Sequence, residues 1–216
     1  LYIKWFGYLK IIEKYHATWL NLSNADLVVK KVDGYFFHQI EIPSVFEDSY
    51  FITLPKLKTN VLSDITCCLK NQYGCLPMVE KDVFHTHLSE VIADINKVIK
   101  PDLCIVDGII GMSGAQGPAF GIPIPFKIVI VSKDPVACDA FCARLLGFKP
   151  EKIKHIRLAA KLGLGSMNFY AIGSDLPKIR NEMSWIEKMK IKLVRLVTNM
   201  QREVWAEYRY LWKEKK

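Results

Sequence analysis

The sequence lacks any apolar run long enough to cross a bilayer. Its longest apolar stretches, among them Leu103 to Val106 and Ile128 to Val131, are interrupted by Asp or Lys well short of the roughly 20 residues that a spanning helix needs. It also lacks the apolar run and small-residue cleavage site of a signal peptide. Because the first residue is Leu1 rather than methionine, we expect the sequence to begin inside a longer gene product.

Paired C-x-x-C motifs are missing as well, although the chain has six cysteines. Several of them fall within predicted strands or helices, as buried thiols of a reducing compartment do, so we predict a cytoplasmic protein. Cys138 and Cys142 share one helix face, but no second pair completes four metal ligands, which favours core packing. We predict no metal site. A redox or ligand role for Cys67 and Cys75 stays open.

What is present is enough apolar sequence for a globular core. Half of the 216 residues are hydrophobic, and there is no internal repeat or low-complexity linker. We therefore predict one α/β domain over residues 1–176, followed by a helical extension over 177–216.

Positive charge is concentrated in that extension. Residues 1–176 carry a net charge of +2 and residues 177–216 a net charge of +6. The extension has the periodicity of a long basic amphipathic helix. Its apolar positions are Ile186, Met189, Leu193, Leu196, Val197, Met200, Val204, Tyr208 and Leu211. We expect this stripe to pack on its own domain or on a second subunit. A membrane surface is a weaker alternative, and no motif for specific nucleic-acid binding is present.

Short apolar segments alternate with helical ones along the rest of the chain. Strands are predicted at residues 26–32, 36–42, 50–54, 102–107 and 126–132, and helices at residues 1–16, 61–72, 87–99, 133–146 and 151–162. Strands linked through helices are typical of a mostly parallel sheet with helices on both faces. In such a sheet, ligands bind beyond the carboxyl ends of the strands.

The first predicted ligand loop is "LPKLKTN", residues 54–60, which follows a predicted strand. It supplies Lys56, Lys58, Thr59 and Asn60, and the next predicted helix ends near Lys70 and Asn71. Lysine ammonium groups suit a carboxylate or a phosphate, while Thr and Asn side chains fix orientation. Solvated surface lysines are the alternative.

The second predicted loop runs from Val106 to Pro125 and is rich in glycine and proline. Asp107 ends the predicted strand, and Gly117 and Pro118 lie within a backbone suited to close approach and restricted turns. The loop contains neither a Walker motif nor the dinucleotide fingerprint. It either cradles a ligand or is an ordered crossover.

Two aspartates and a histidine complete the candidate set. Asp134 is predicted to cap the helix that begins at Pro135. Asp139 lies among apolar residues inside that helix, where a buried carboxylate needs a partner. We expect Asp107 and Asp139 to pair with Lys58 or Lys70 rather than to hold a metal. His85 begins another helix and is a candidate acid, base or ligand.

These segments resemble, in order and spacing, the family called domain of unknown function 362. The resemblance covers about residues 15–173 and is carried by "LPKLKTN", "TCCLKNQYGCLP", "KDVFHTH", "PDLCIVDGIIGMSGAQGP", "SKDPVACDAFCARLLGF" and "HIRLAAKLGLG". It implies that the family's polar positions fall on Lys58, Thr59, Lys70, Asn71, Asp107, Gly117, Pro118, Asp134 and Asp139. Many relatives have histidine where this chain has Asn60, which weakens a proton-donor role there. Relatives often carry ferredoxin-like cysteine runs, which this chain lacks, and further sheet elements on the N-terminal side.

The sequence thus predicts a protein that binds an anionic small molecule, with Lys58, Lys70, Asp107 and Asp139 as candidate catalytic residues. Thr59, Asn60, Asn71, His85, Gly117, Pro118 and Asp134 are the candidate ligand-binding residues. The reaction and any cofactor stay unknown. One alternative is a noncatalytic accessory domain that docks a redox protein through the C-terminal helix. A weaker one is electron transfer through an iron-sulfur cluster on Cys67, Cys68 and Cys75.

Overall fold

A computed structural model describes residues 2–114 and 121–173. Gly117, Pro118 and the predicted extension at 177–216 lie outside the described residues. The division into a domain and an extension therefore stays a prediction.

The described residues contain eight strands and six α-helices. The strands are β1 Leu27–Lys31, β2 Gln39–Pro43, β3 Ile52–Thr53, β4 Lys56–Asn60, β5 Asp64–Thr66, β6 Leu103–Gly114, β7 Gly121–Ile124 and β8 Ile128–Ser132. The helices are α1 Tyr2–Trp5, α2 Tyr8–Lys14, α3 Cys68–Asn71, α4 Leu88–Val98, α5 Pro135–Leu145 and α6 Lys154–Lys161. Short 3-10 helices occupy Leu22–Asn24, Ser44–Phe46, Gln72–Cys75, Lys81–His87 and Pro150–Lys152.

An α/β fold is confirmed, but the prediction of a mostly parallel sheet is wrong. Strand β6 pairs in parallel with β3 and β4 and antiparallel with β7 and β8, and β4 pairs antiparallel with β5. Strands β1 and β2 form a separate antiparallel pair. The sheet is mixed because β4 returns as β5, and β6 as β7, through connections too short for a parallel crossover.

The segment predicted as a lysine loop is itself a strand. Strand β4 begins at Lys56, and the strand predicted at 50–54 is reduced to β3. Lys56 is exposed and Lys58 is half-buried, while Leu57, between them, is fully buried. This alternation is compatible with a strand or with a loop, and the segment is a strand because it pairs with β6.

The helix predicted at 61–72 is also wrong. Asn60 Oδ1 accepts hydrogen bonds from Leu62 N at 2.9 Å and Ser63 N at 3.1 Å, which turns the chain back on itself. Asp64 adopts a left-handed conformation with φ of 66°, and β5 follows. The helix forms only over the four residues of α3.

Most of the predicted glycine-rich loop is paired strand. Strand β6 continues to Gly114 and pairs with β7 from Gly111 opposite Ile124 to Gly114 opposite Gly121. A Cβ atom at Gly111 would lie 2.8 Å from the Leu57 carbonyl oxygen and 2.9 Å from the Phe126 ring. Glycine is needed there for close packing rather than for a ligand.

The later helices agree with prediction. Helix α4 falls inside the predicted range of 87–99, and α5 ends one residue before Leu146. Asp134 Oδ1 accepts hydrogen bonds from Val136 N and Ala137 N, both at 2.8 Å, so its predicted capping role is confirmed. The helix predicted at 151–162 is divided between a 3-10 turn and α6. The first predicted helix is divided at Gly7, whose φ is 75°.

Helices α3 to α6 contact one another and form one layer against the sheet. The sheet contributes Leu57, Cys104, Val106 and Ile130 to the shared core. This layer covers one face of the sheet. The two faces therefore have different surroundings.

Candidate functional site

The candidate site is a pair of lysines held by neighbouring elements. Lys58 lies in β4 directly opposite Thr66 of β5, and α3, which contains Lys70, begins two residues after β5. This strand, turn, strand and helix sequence brings the two ammonium groups close enough for the charge of Lys58 to lower the pKa of Lys70. We call Lys58 and Lys70 the lysine pair.

The surroundings of Lys70 disfavour its charged form. Burial is the larger cause, and the Lys58 charge the smaller, of a pKa lowered from 10.5 to about 8. Its Nζ lies 5.5 Å from the centre of the Tyr73 ring, whose face attracts a cation. Among the described residues, the ion pairs within 4.0 Å involve other cations, so neither member of the lysine pair has a carboxylate partner there.

Asp139 supports the helix that carries Lys70. The carboxylate accepts hydrogen bonds from Cys68 N at 2.7 Å and Leu69 N at 3.2 Å, which are the otherwise unpaired amides at the start of α3. Burial raises the pKa of Asp139 well above its usual value. Its Oδ2 is 3.9 Å from His155 Nε2. Asp139 thus belongs to the surroundings of the lysine pair but bonds to backbone rather than to either ammonium.

Asp107 does not join the lysine pair. It forms an ion pair with Lys56, and its Oδ1 accepts a hydrogen bond from Ile109 N at 3.0 Å. The bond from Lys56 lowers the pKa of Asp107 below its usual value. The expectation that Asp107 pairs with Lys58 or Lys70 is therefore wrong, because Lys56 lies directly opposite Asp107 in the sheet.

The candidate ligand residues Thr59, Asn60 and Asn71 are engaged in the fold. Thr59 Oγ1 donates to the Gly114 carbonyl at 2.8 Å, which fixes β4 against β6. Asn60 forms the turn described above, and its Oδ1 also accepts from Ser63 Oγ at 3.0 Å. Asn71 Nδ2 donates to Thr53 Oγ1 at 2.8 Å. A ligand would have to share or displace these bonds.

Asp134 lies at another place in the fold, whereas His85 contacts Tyr73 beside Lys70. Besides capping α5, Asp134 accepts a hydrogen bond from Ser166 N at 2.8 Å. A Cβ at Gly165 would lie 1.9 Å from Asp134 Oδ1, so the segment after α6 needs glycine to approach the cap. The His85 ring stacks on Tyr73 with 6.3 Å between ring centres, which places it on the aromatic ring that also faces Lys70.

Sequence reasoning missed His155 and Tyr73 as parts of this neighbourhood. His155 is fully buried, and neither ring nitrogen has a hydrogen-bond partner among the described residues. Burial first, and the charge of Lys70 second, lower its pKa to about 3, so the ring is neutral. No local signal reveals this, because His155 reaches the site only through the packing of α6 against α5.

The cysteines lie mainly in the core. Cys67, Cys68, Cys104, Cys138 and Cys142 are buried. Burial raises the pKa of the Cys67 thiol and raises that of Cys75 to about 11, which disfavours the thiolate form that binds metals. Within residues 2–114 and 121–173, no three His, Cys, Asp or Glu side chains are grouped so that they could hold a metal ion.

These observations define an α/β protein with a mixed sheet and a pair of neighbouring lysines at the junction of a strand and a helix. The chain belongs to the family described as domain of unknown function (DUF362), whose model matches residues 2–144. The matched range includes Lys58, Lys70, Asp107, Asp134 and Asp139.

A curated relative is the "Thylakoid-associated protein sll1697" of Synechocystis sp. It is 32% identical over 120 residues, which cover 52% of this chain and 37% of the relative. The chain thus spans about a third of the length of the curated relative that it matches. No solved structure matches the chain. None of the helices that the structure describes is both long and apolar enough to cross a membrane.

Proposed function

We propose that the protein binds an anionic small molecule at the lysine pair. The observation that carries this proposal is a partly buried ammonium, Lys70, beside a second ammonium, Lys58, without a carboxylate near either one among the described residues. Two neighbouring cations of this kind raise the energy of the free protein. A bound anion would compensate both charges.

The chemistry of the lysine pair favours a carboxylate or a phosphate group. Each ammonium offers three donors, and partial burial strengthens its attraction to an anion relative to an exposed lysine. The lowered pKa of Lys70 also gives this amine a substantial neutral fraction near pH 8, where it could accept a proton or attack an electrophile. The proposal extends to binding alone and does not specify a reaction.

Ligand-dependent thermal shifts would test the proposal. A panel would include inorganic phosphate, sulfate, citrate and a range of phosphorylated and carboxylated metabolites, since a ligand that binds only the folded state raises Tm. We expect Lys58→Met and Lys70→Met each to abolish the shift. Lys31→Met, at an exposed position in the separate two-stranded sheet, makes the same change in net charge and should retain the shift. An unchanged shift in folded Lys58→Met and Lys70→Met proteins would contradict the proposal.

A second candidate function is attachment to a membrane surface, as the name of the thylakoid-associated relative suggests. The specific observation is a largely exposed aromatic segment, residues 3–20. No residue of α2 is buried, and Trp5, Phe6, Tyr15 and Trp19 are exposed beside Lys4, Lys10 and Lys14. Aromatic and basic side chains together are typical of a segment that lies in the interface of an anionic membrane.

Vesicle cosedimentation would test this second function. We expect the full chain to sediment with vesicles containing phosphatidylglycerol more than with pure phosphatidylcholine vesicles. The double variant Trp5→Ser with Phe6→Ser should lose that binding, whereas Tyr50→Ser, at another exposed aromatic position, should keep it. Equal sedimentation of all three proteins would exclude the segment as the membrane contact. Docking through residues 177–216 is a separate proposal and concerns residues outside the described part.

A further inference from the structure

The main sheet has an apolar face that the described helices do not cover. Its members are Ile52, Leu54, Ile105, Val129 and Val131, which we call the outer face. The strand register places Ile105 directly opposite Val131, and alternation along β8 places Val129 on the same side. Val131 is 59% exposed and Leu54 is 69% exposed.

The intervening side chains point to the helical layer. Cys104, Val106 and Ile130 are buried in the core, next in sequence to the outer-face residues of β6 and β8. A sheet with one solvated face normally alternates apolar and polar side chains, whereas a sheet covered on both faces is apolar on both. Apart from the ion pair of Lys56 and Asp107, the outer face is mainly apolar. Its composition is therefore typical of a face that another layer covers.

The described chain ends beside the edge of the sheet that β8 forms. Residues 169–173 line a groove together with β8 and α5, and the Phe169 ring packs against Phe141 with 5.7 Å between ring centres. The next side chains turn away from the core, with Tyr170 91% and Ile172 90% exposed. Within the described part, β8 pairs with β6 alone. The chain thus leaves Gly173 next to the open edge of β8.

The following residues have the sequence of a covering helix. The apolar stripe runs from Ile186 to Leu211 at steps of three and four, which as a helix would extend about 39 Å. Strand β8, with five residues, is only about 17 Å long. Residues 174–185 could span up to about 40 Å when extended, so the stripe can reach any part of the outer face.

We propose that residues 186–200 of this chain pack their apolar stripe on the outer face and supply a second layer to the sheet. The occupant is the chain itself because the apolar stripe begins 13 residues after Gly173, which lies next to the open edge of β8, and the intervening residues are long enough to reach the outer face. The contact would remove apolar surface from water on both partners, which is the main driving force for such packing. This inference is independent of the lysine pair.

Hydrogen exchange of the 216-residue chain would test the contact. We expect the amides of residues 186–200 to be protected in the monomer. Val131→Gln should speed their exchange at least tenfold and lower Tm by roughly 3 °C or more, on the scale expected for a chain of this size. Leu193→Gln changes the stripe instead of the sheet, and it should speed the exchange of the amides of β8. Val131→Thr, which nearly preserves side-chain volume, provides a milder variant if Val131→Gln does not fold.

Matched controls introduce the same side chain at neighbouring positions. Lys133 follows β8 and is exposed, and Lys192 precedes Leu193 on the polar face of the predicted helix. The controls are Lys133→Gln and Lys192→Gln. Both should leave the exchange of residues 186–200 unchanged. The proposal would be overturned if folded Val131→Thr or Val131→Gln left that exchange unchanged. Protection that appears only at concentrations where light scattering detects a dimer would also overturn it, because a second copy would then cover the face.

Discussion

At the scale of single residues, the difference between Asp134 and Asp139 shows what the sequence can predict. Asp134 caps amides two and three residues ahead, so its role is local and follows from the helix that begins at Pro135. Asp139 caps amides that are 71 and 70 residues away in sequence. Its need for a partner was predictable because a buried carboxylate requires one. The identity of that partner depends on tertiary packing and was not.

Lys70 leads to a prediction on pH. Its pKa is lowered to about 8, so it loses its proton as the pH rises through that value. Because the proposed anion site needs the ammonium form, the affinity for sulfate, whose charge is constant over this range, should fall by up to about tenfold per pH unit above pH 8. Isothermal titration calorimetry between pH 7 and 10 would measure this.

Lys70→Arg is the control for that titration, because arginine keeps its charge throughout the range. If the variant binds sulfate, its affinity should be nearly constant between pH 7 and 9. If the wild-type affinity were equally constant, sulfate binding would not depend on the protonation of Lys70, and the prediction would be wrong.

His155 leads to a prediction on acid stability. Burial first, and the charge of Lys70 second, lower its pKa from 6.5 to about 3, and Asp139 Oδ2 lies 3.9 Å from its Nε2. Between these two values the unfolded chain binds a proton that the folded chain does not, so the free energy of unfolding decreases as the pH falls below about 6.5. Relative to His155→Leu, the wild type should lose about 2 kcal/mol between pH 7 and pH 5.

Urea denaturation at a series of pH values would measure this difference. His38 is exposed, and His38→Leu should follow the wild-type pH dependence. If the plots of unfolding free energy against pH were parallel for the wild type and His155→Leu, the pKa of His155 would be the same in the folded and unfolded states.

At the scale of elements, local propensity predicted the long helices but not the strands around the lysines. Helix α4 has eleven residues with amphipathic spacing, and α5, also with eleven residues, begins at Pro135 after the capping Asp134, so their bounds follow from the sequence. Strand β4 has only five residues, three of them Lys56, Lys58 and Asn60, and its conformation depends on pairing with β5 and β6. Short strands stabilised by distant partners carry little local information.

The turn after β4 leads to a stability prediction. Asn60 Oδ1 accepts three hydrogen bonds in a buried position, one from Leu62 N and two from Ser63. Asn60→Ala leaves those donors without their acceptor and should lower the free energy of unfolding by about 2 kcal/mol. Asn60→Asp keeps an acceptor oxygen and should recover most of the loss in urea denaturation, while Asn168→Ala, at an exposed position, should change little. Equal stability of Asn60→Ala and the wild type would contradict this role of the turn.

At the scale of the whole molecule, the sequence predicted an α/β sheet with helices on both faces, whereas the helices of the described residues cover one face. The lysine pair belongs to the strand and helix that pack together around β4 and α3, whereas Asp107 pairs with Lys56 elsewhere in the sheet. The four candidate catalytic residues therefore do not form one cluster. The mixed direction of the strands was not predictable. It depends on the short connections from β4 to β5 and from β6 to β7, which lie in lysine-rich and glycine-rich segments.

The outer face and the lysine pair should respond differently to removal of residues 177–216. If that extension covers the outer face, a chain ending at residue 176 exposes Val129 and Val131 permanently, and we expect stronger binding of a hydrophobic dye together with concentration-dependent association. Charge changes as well, since the extension carries +6 of the net +8. The truncated chain should nevertheless retain the thermal shift proposed for anions at the lysine pair, provided that near-ultraviolet circular dichroism shows native packing. Loss of native packing would assign the extension to the core of the fold, and a stable, monomeric truncated chain without added dye binding would show that the outer face is solvated in the 216-residue chain.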